Sequence, residues 1–241
     1  MKQLINRFLY RAGIYYAKRS YMPYGIDWLW DIHRIVRGRP VKTVFDVGAN
    51  IGQTTRLIKE RFSDADVHAF EPVSSTYQSL QRRVQSLGGV TCHRLALSDG
   101  IGQTTVTAVK DSQLNRMVSE AEVQDSSSVE SVDMDSIDHF CAARGITSID
   151  ILKVDAEGAD LRVLLGGQAM LRQGQVAFVY VEVGFVEDDR GHVHFRAVYD
   201  FLEDAGLKPN GFYEYYLDEE DRRLVVANLL FSNQAAIGRL R

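Results

Sequence analysis

From Val41 onward, short runs of β-branched and aromatic residues alternate with stretches whose apolar residues recur at helical spacing, and this alternation limits the fold more than any other feature. The strand candidates are residues 43–47 (TVFDV), 66–70 (DVHAF), 90–97 (VTCHRLAL), 149–154 (IDILKV) and 176–183 (VAFVYVEV). Leu57, Ile58 and Phe62 mark a helix after the first strand, and Tyr77, Leu80, Val84 and Leu87 mark one after the second. Leu161, Leu164, Leu165 and Met170 follow the fourth, and residues 195–205 (FRAVYDFLEDA) follow the fifth. Strands joined by crossover helices form a parallel α/β sheet covered on both faces. The last segment departs from this pattern: residues 211–217 (GFYEYYL) and 224–231 (LVVANLLF) flank an acidic turn and read as a C-terminal antiparallel hairpin.

The 241 residues, 45% of them hydrophobic, admit one large α/β domain or two small ones. The periodic region assigns residues 41–241 to one α/β domain and leaves 1–40 as an N-terminal helical lid or appendage. Lys2, Arg7, Arg11, Lys18 and Arg19 accompany a helical apolar stripe through Leu4, Ile5, Phe8, Leu9, Ala12, Tyr15 and Tyr16. Such a basic amphipathic helix could dock on the domain, cover a substrate site or rest on an anionic membrane surface. Arg37-Gly38-Arg39-Pro40 reads as a turn. Residues 117–132 read as a surface excursion ending in a helix over 133–143, and the pentapeptide IGQTT at 51 and again at 101 reads as coincidence. A net charge of -4 argues against a nucleic-acid partner. Cys92 and Cys141 have no neighbours at disulfide or zinc spacing, and no run approaches the ~18 apolar residues of a membrane span. A cytoplasmic location is therefore expected.

The chemistry concentrates where strands end. The first runs into Asp46-Val47-Gly48-Ala49-Asn50-Ile51-Gly52, and Thr54 or Thr55 could cap the next helix. Small or turn-tolerant residues at Gly48, Asn50 and Gly52 let the backbone approach a ligand closely. This is not the G-x-G-x-x-G of dinucleotide sites. Asp46 could accept hydrogen bonds from an ammonium group, which suits the amino-acid part of S-adenosylmethionine. Glu71 ends the second strand, 19 residues beyond Gly52, where a carboxylate can hold both ribose hydroxyls. Ser98 and Asp99 follow the third, where an acceptor could meet an adenine amino group. Lys153 interrupts an otherwise apolar central strand and needs an acidic partner, since lysine is almost never buried unpaired. Asp155 shares its side of the pleat, Glu157-Gly158 opens the next turn, and Glu182 interrupts the fifth strand. These four residues are expected to converge at the mouth of a site. A buried Lys153–Glu182 pair with a purely structural role is the plainer alternative.

The segments VFDVGANIGQTT, AFEPVSSTYQSL, LALSD, SVDMDSID, IDILKVDAEGADLRVLLGG and NLLF resemble the FkbM family of S-adenosylmethionine-dependent methyltransferases over roughly residues 41–231. The resemblance implies a class I, Rossmann-like fold: a mostly parallel seven-stranded sheet with one antiparallel strand and helices on both faces. It also implies O-methylation of a hydroxyl on a sugar, glycan or secondary metabolite. Methyl transfer from a sulfonium is an in-line displacement, so the protein has mainly to align the acceptor and take its proton. Asp155 is the expected base, with Lys153 and Glu157 completing the cluster; His192 and His194 are the alternative bases. Asp155, Glu157 and Glu182 could also ligate a divalent ion such as magnesium. Two other classes stand against this reading: a catalytically silent cofactor-binding module and an NAD-dependent oxidoreductase.

Overall fold

The computed structural model describes residues 22–107, 129–187, 189 and 191–240. The basic segment 1–19 and most of the excursion 117–132 therefore lie outside the described residues. Five expected strands appear as β1 (Thr43–Val47), β2 (Asp66–Phe70), β3 (Val90–His93), β7 (Ile149–Val154) and β8 (Val176–Gly184). The hairpin is β9 (Lys208–Leu217) and β10 (Leu224–Ser232). Together they form one seven-stranded sheet in the order β3-β2-β1-β7-β8-β10-β9. The pairs β1–β2, β1–β7, β2–β3 and β7–β8 are parallel, whereas β10 runs antiparallel to both neighbours and is the one reversed strand. From β1 the chain builds outward to β3 and then returns to β7 on the other side. The carboxyl ends of β1 and β7 thus form a topological switch point, where open α/β sheets open a ligand crevice.

Helices cover both faces because central strands such as β7, buried at every residue, present apolar side chains to each side. One face carries α1 (Trp28–Val36), α2 (Gln53–Arg61), α3 (Ser74–Val84) and α8 (Gln234–Arg239). The other carries α4 (Ile137–Arg144), α5 (Asp160–Gly166), α6 (Gln168–Arg172) and α7 (Phe195–Asp204).

The described part of the expected appendage is continuous with this core. Trp28, Leu29, Ile32 and Val36 of α1 are buried against the sheet, and Trp28 stacks on Tyr180 of β8 with ring centroids 4.1 Å apart. Asp27 caps α1 by accepting from the Trp30 N–H, and Arg37 ends it in the left-handed conformation (φ 51) ahead of Gly38. Buried Asp31 accepts from the Gly25 N–H at 2.8 Å and from the Tyr213 hydroxyl at 2.7 Å, and pairs with Arg34. At about 1.5–3 kcal/mol per large apolar side chain buried, these four α1 residues fasten the segment firmly to the sheet.

Several expectations are corrected. Residues 90–97 split into β3 and β4 (Ala96–Leu97), and β4 joins a separate three-stranded sheet, β4-β6-β5, with β5 (Gly102–Thr107) and β6 (Val129–Asp135). The helix expected from 133 starts only at Ile137, capped by Ser136, because 133–135 pair in β6. Leu57 is 52% exposed and Leu165 38%, so neither belongs to the apolar stripe assigned to it. The two IGQTT copies adopt different structures: Gly52 caps α2, whose first residues are Gln53-Thr54-Thr55, while 102–105 are β-strand. Tertiary surroundings override the shared local sequence. Among the described residues no helix is long and apolar enough to cross a membrane.

Candidate active site

The carboxyl ends of β1, β2, β4 and β7 surround a cleft. Its walls are Gly48 and Asn50 after β1, Glu71 after β2, Val73, Leu95 and Leu97, Val106 of β5, and Asp155 and Glu157 after β7. Gly48 is required by a close crossing: a Cβ there would lie 1.8 Å from the Asp155 carbonyl oxygen, and its φ of 69 is left-handed. The β1 and β7 loops are thereby pressed together, and the Asp155 N–H donates to the Val47 carbonyl at 3.2 Å.

Lys153 lies immediately behind this crossing. Its ammonium is 3.1 Å from Asp155 Oδ2 and 3.4 Å from Asp46 Oδ1, and it donates to the carbonyls of Gly48 (3.0 Å) and Val47 (3.3 Å). Burial alone would discharge it, but the carboxylates of Asp155 and Asp46 outweigh that cost and hold Lys153 above its ordinary pKa. Its partners are therefore Asp155, expected on its side of the pleat, and Asp46, and the alternative pairing with Glu182 does not form. Asp46 is fully buried; its Oδ2 accepts the Thr55 hydroxyl at 2.6 Å. Thr55 thus anchors α2 to β1 through a side chain, and the helix is capped by Gly52 (φ 88) without a side-chain cap. Asp46 and Gly52 shape the site from behind and do not line the cleft.

Glu71 does line it, and it is nearly buried. The Asn50 N–H donates to Oε2 at 3.1 Å and the Val73 N–H to Oε1 at 2.9 Å, which fixes the carboxyl plane. Burial pushes its pKa up to about 7, against the pull of those two N–H groups. A carboxylate so fixed can accept from a vicinal diol such as that of a ribose, and the apolar Val73, Leu95, Leu97 and Val106 beside it suit a flat ring such as adenine. Ser98 is fully buried and donates to Asp99 Oδ1 at 3.0 Å, while Asp99 pairs with Arg162 at 2.9 Å. The Arg162 hydrogen bond holds Asp99 below the usual carboxylate range. Neither residue lines the cleft, whose wall there is made by the apolar Leu95, Leu97 and Val106.

Beyond Asp155 the acids crowd. Glu157 sits in the left-handed region (φ 47), ahead of Gly158 (φ 91). Burial, then the charges of Asp155 and Glu182, raise its pKa to about 8. Asp160, which the sequence reading passed over, pins this turn: its buried carboxylate accepts from the N–H groups of Ala156 (2.8 Å) and Gly158 (3.2 Å). Burial raises it to about 6. Its spacing from Lys153, at the start of a helix, was the available signal. His192 bridges two acids, with Nε2 3.3 Å from Glu182 Oε2 and Nδ1 2.7 Å from Asp189 Oδ2. The Glu182 contact, opposed by burial and helped by Asp189, lifts His192 to about 9, so it is an imidazolium at neutral pH. His194 instead caps α7, its Nδ1 accepting from the Arg196 N–H. Among the described residues no three His, Cys, Asp or Glu side chains are grouped closely enough to hold a metal ion, so the expected magnesium ligands Asp155, Glu157 and Glu182 do not assemble.

A cleft of this kind at the switch point leaves the chemistry open, and comparison with known proteins narrows it. The model of the methyltransferase FkbM domain matches residues 46–209, more than half of the chain. The chain belongs to the FkbM methyltransferase family. It is an S-adenosylmethionine-dependent methyltransferase, which sets aside the oxidoreductase and the silent module. A 2-O-methyltransferase, NoeI, of Sinorhizobium fredii is 25% identical over 68% of this chain and 72% of its own length. The 31-O-demethyl-FK506 methyltransferase FkbM of Streptomyces tacrolimicus is 27% identical over 66% and 68%. Among solved structures, a putative rRNA methylase from Clostridium thermocellum aligns with a TM-score of 0.49 and 9% identity, over 88% of this chain and 99% of that one.

Proposed function

We propose that this FkbM-family chain methylates a hydroxyl oxygen of a sugar, glycan or other small metabolite, with Asp155 as the group that orients the acceptor and receives its proton. The observation that carries the reading is the Lys153 ammonium at 3.1 Å from Asp155 Oδ2, at the wall of the cleft. Two relatives whose names specify O-methyl transfer support it. S-adenosylmethionine, when bound, supplies a sulfonium-borne methyl group that passes in line to the acceptor oxygen, the C–S electron pair leaving with sulfur. Glu71 is placed to hold the ribose, with Gly48 and Asn50 forming the adjacent wall. Asp46 and Thr55 act from behind, through Lys153 and α2. Lys153 fixes one Asp155 oxygen and leaves the other for the acceptor O–H. Glu157 and His192 each hold a proton near pH 7, given values of about 8 and about 9, so neither is poised as a base there. Glu157 can instead donate to the acceptor.

The test is Asp155→Asn, assayed for S-adenosylmethionine affinity by calorimetry and for transfer of labelled methyl to a panel of hydroxylated acceptors. General-base catalysis contributes roughly 10²–10⁴-fold, so turnover should fall by that factor with affinity held within about threefold. Wild-type turnover would refute the assignment.

A further inference from the structure

The strand registers align polar side chains from the cleft toward the hairpin. Asp155 follows the last β7–β8 pair, Val154 with Val181, and is therefore level with Glu182. Glu182 pairs with Asn228 of β10, and Asn228 with Tyr213 of β9. Residues opposite one another on neighbouring strands share a face. At about 4.8 Å between strands, the row from Asp155 through Glu182 to Asn228 spans roughly 10 Å. Tyr213, at its end, already donates its hydroxyl to Asp31.

Asn228 has no such occupation. It is 9% exposed, lies between the buried Ala227 and Leu229, and its amide makes no hydrogen bond among the described residues. The residue is nearly buried, yet its amide atoms stay in reach of solvent, so a ligand hydroxyl can take up the hydrogen bonds that no described residue supplies. Glu182 is half spent: His192 takes Oε2, and Oε1 has no partner among the described residues. A carboxylate only accepts and an amide also donates, so the two together match both roles of a single hydroxyl. Its O–H would go to Glu182, and the Asn228 amide would donate to its oxygen.

We propose that Asn228 and Glu182 form an acceptor subsite that holds a second hydroxyl, one or two strand spacings from the hydroxyl delivered to Asp155. The inference rests on the reading of Asp155 given above. It assigns the acceptor to polyols of sugar-ring size and makes Asn228 a specificity-determining residue.

The experiment measures labelled-methyl transfer from S-adenosylmethionine to methyl α-D-glucopyranoside, methyl α-D-mannopyranoside and myo-inositol, with cyclohexanol as the single-hydroxyl control. Wild-type protein should use at least one polyol with kcat/KM at least about tenfold above cyclohexanol. Asn228→Ala should raise the KM for that polyol about tenfold, the loss of one good hydrogen bond, with kcat and S-adenosylhomocysteine affinity within about threefold. Because the amide has no protein partner, Asn228→Val should keep or raise the melting temperature while showing the same KM defect; a structural role would lower it. Equal use of cyclohexanol, no polyol turned over, or unchanged KM in both variants overturns the subsite. If cyclohexanol is used as well as the polyols and Asp155→Asn still abolishes that turnover, the subsite fails and the reading of Asp155 stands.

Discussion

Replacing Lys153 with Met removes the ammonium but keeps most of the buried chain length. The fully buried Asp46 would retain the Thr55 hydroxyl at 2.6 Å and lose the cation 3.4 Å from its other oxygen. Asp155 would lose the contact at 3.1 Å, and the Val47 and Gly48 carbonyls would lose their shared donor. Breaking a buried ion pair from one side costs about 3–5 kcal/mol, because the remaining charge is left uncompensated. For a domain of this size, about 2–4 °C per kcal/mol translates that into a fall of roughly 6–20 °C in Tm. The assay is denaturant unfolding at pH 7, and adding Asp46→Asn, which removes one stranded charge, should recover part of the loss. A Lys153→Met protein within about 1 kcal/mol of wild type at pH 7 would refute the electrostatic account of the β1–β7 crossing.

Further outcomes follow from other parts of the structure. His93 stacks on Phe70 and its Nε2 lies 3.0 Å from His68 Nδ1. Burial, then His68 and Arg144, hold its pKa near 4, below the unfolded 6.5. Its contribution is therefore complete above pH 6.5 and lost as pH falls toward 4, about 1 kcal/mol by pH 5 once linkage is discounted for its partial exposure to solvent. His93→Gln should lose that much less stability than wild type between pH 7 and 5, measured by denaturant midpoint; identical pH dependence would contradict the assignment. A Cβ on Gly166 would lie 1.9 Å from the Ser98 carbonyl oxygen, so Gly166→Ala should cost about 1–3 kcal/mol through overpacking, whereas Gly88→Ala, with nothing within 4 Å, should be nearly silent in the same thermal scan. Glu71 titrates near 7, and the ribose contact proposed for it uses its ionised form. S-adenosylhomocysteine affinity should therefore rise up to about tenfold per pH unit below 7 and level off above it, and Glu71→Gln should lose roughly 10–100-fold and flatten the profile in calorimetric titration.

The parallel sheet was legible because a strand buried on both faces must be apolar throughout, and TVFDV, DVHAF and IDILKV have no competing helical reading. The intrusive Lys153 was legible for the converse reason: a charge in such a strand has to be paired. Which acid pairs it was not legible, since that depends on the β1–β7 register that puts Asp46 opposite Lys153. The same limit explains Asp99, whose ion pair with Arg162 of α5 spans 63 residues of chain. Asn228 sits in an apolar run that reads simply as a strand, and its open amide emerges only once β8 and β9 flank it. α1 was missed because its nine residues mix two tryptophans with Asp31, His33 and Arg34, and its support comes from Tyr180 and Tyr213 far along the chain.

The most direct measurement is a crystal structure of the S-adenosylhomocysteine complex. The account predicts ribose hydroxyls within about 2.6–3.2 Å of the Glu71 carboxylate, the adenine against Val73, Leu97 and Val106, and the sulfur turned toward Asp155 with room for an acceptor oxygen between them. A ligand bound elsewhere, or one whose sulfur faces away from Asp155 toward Asp99 and Arg162, would contradict it.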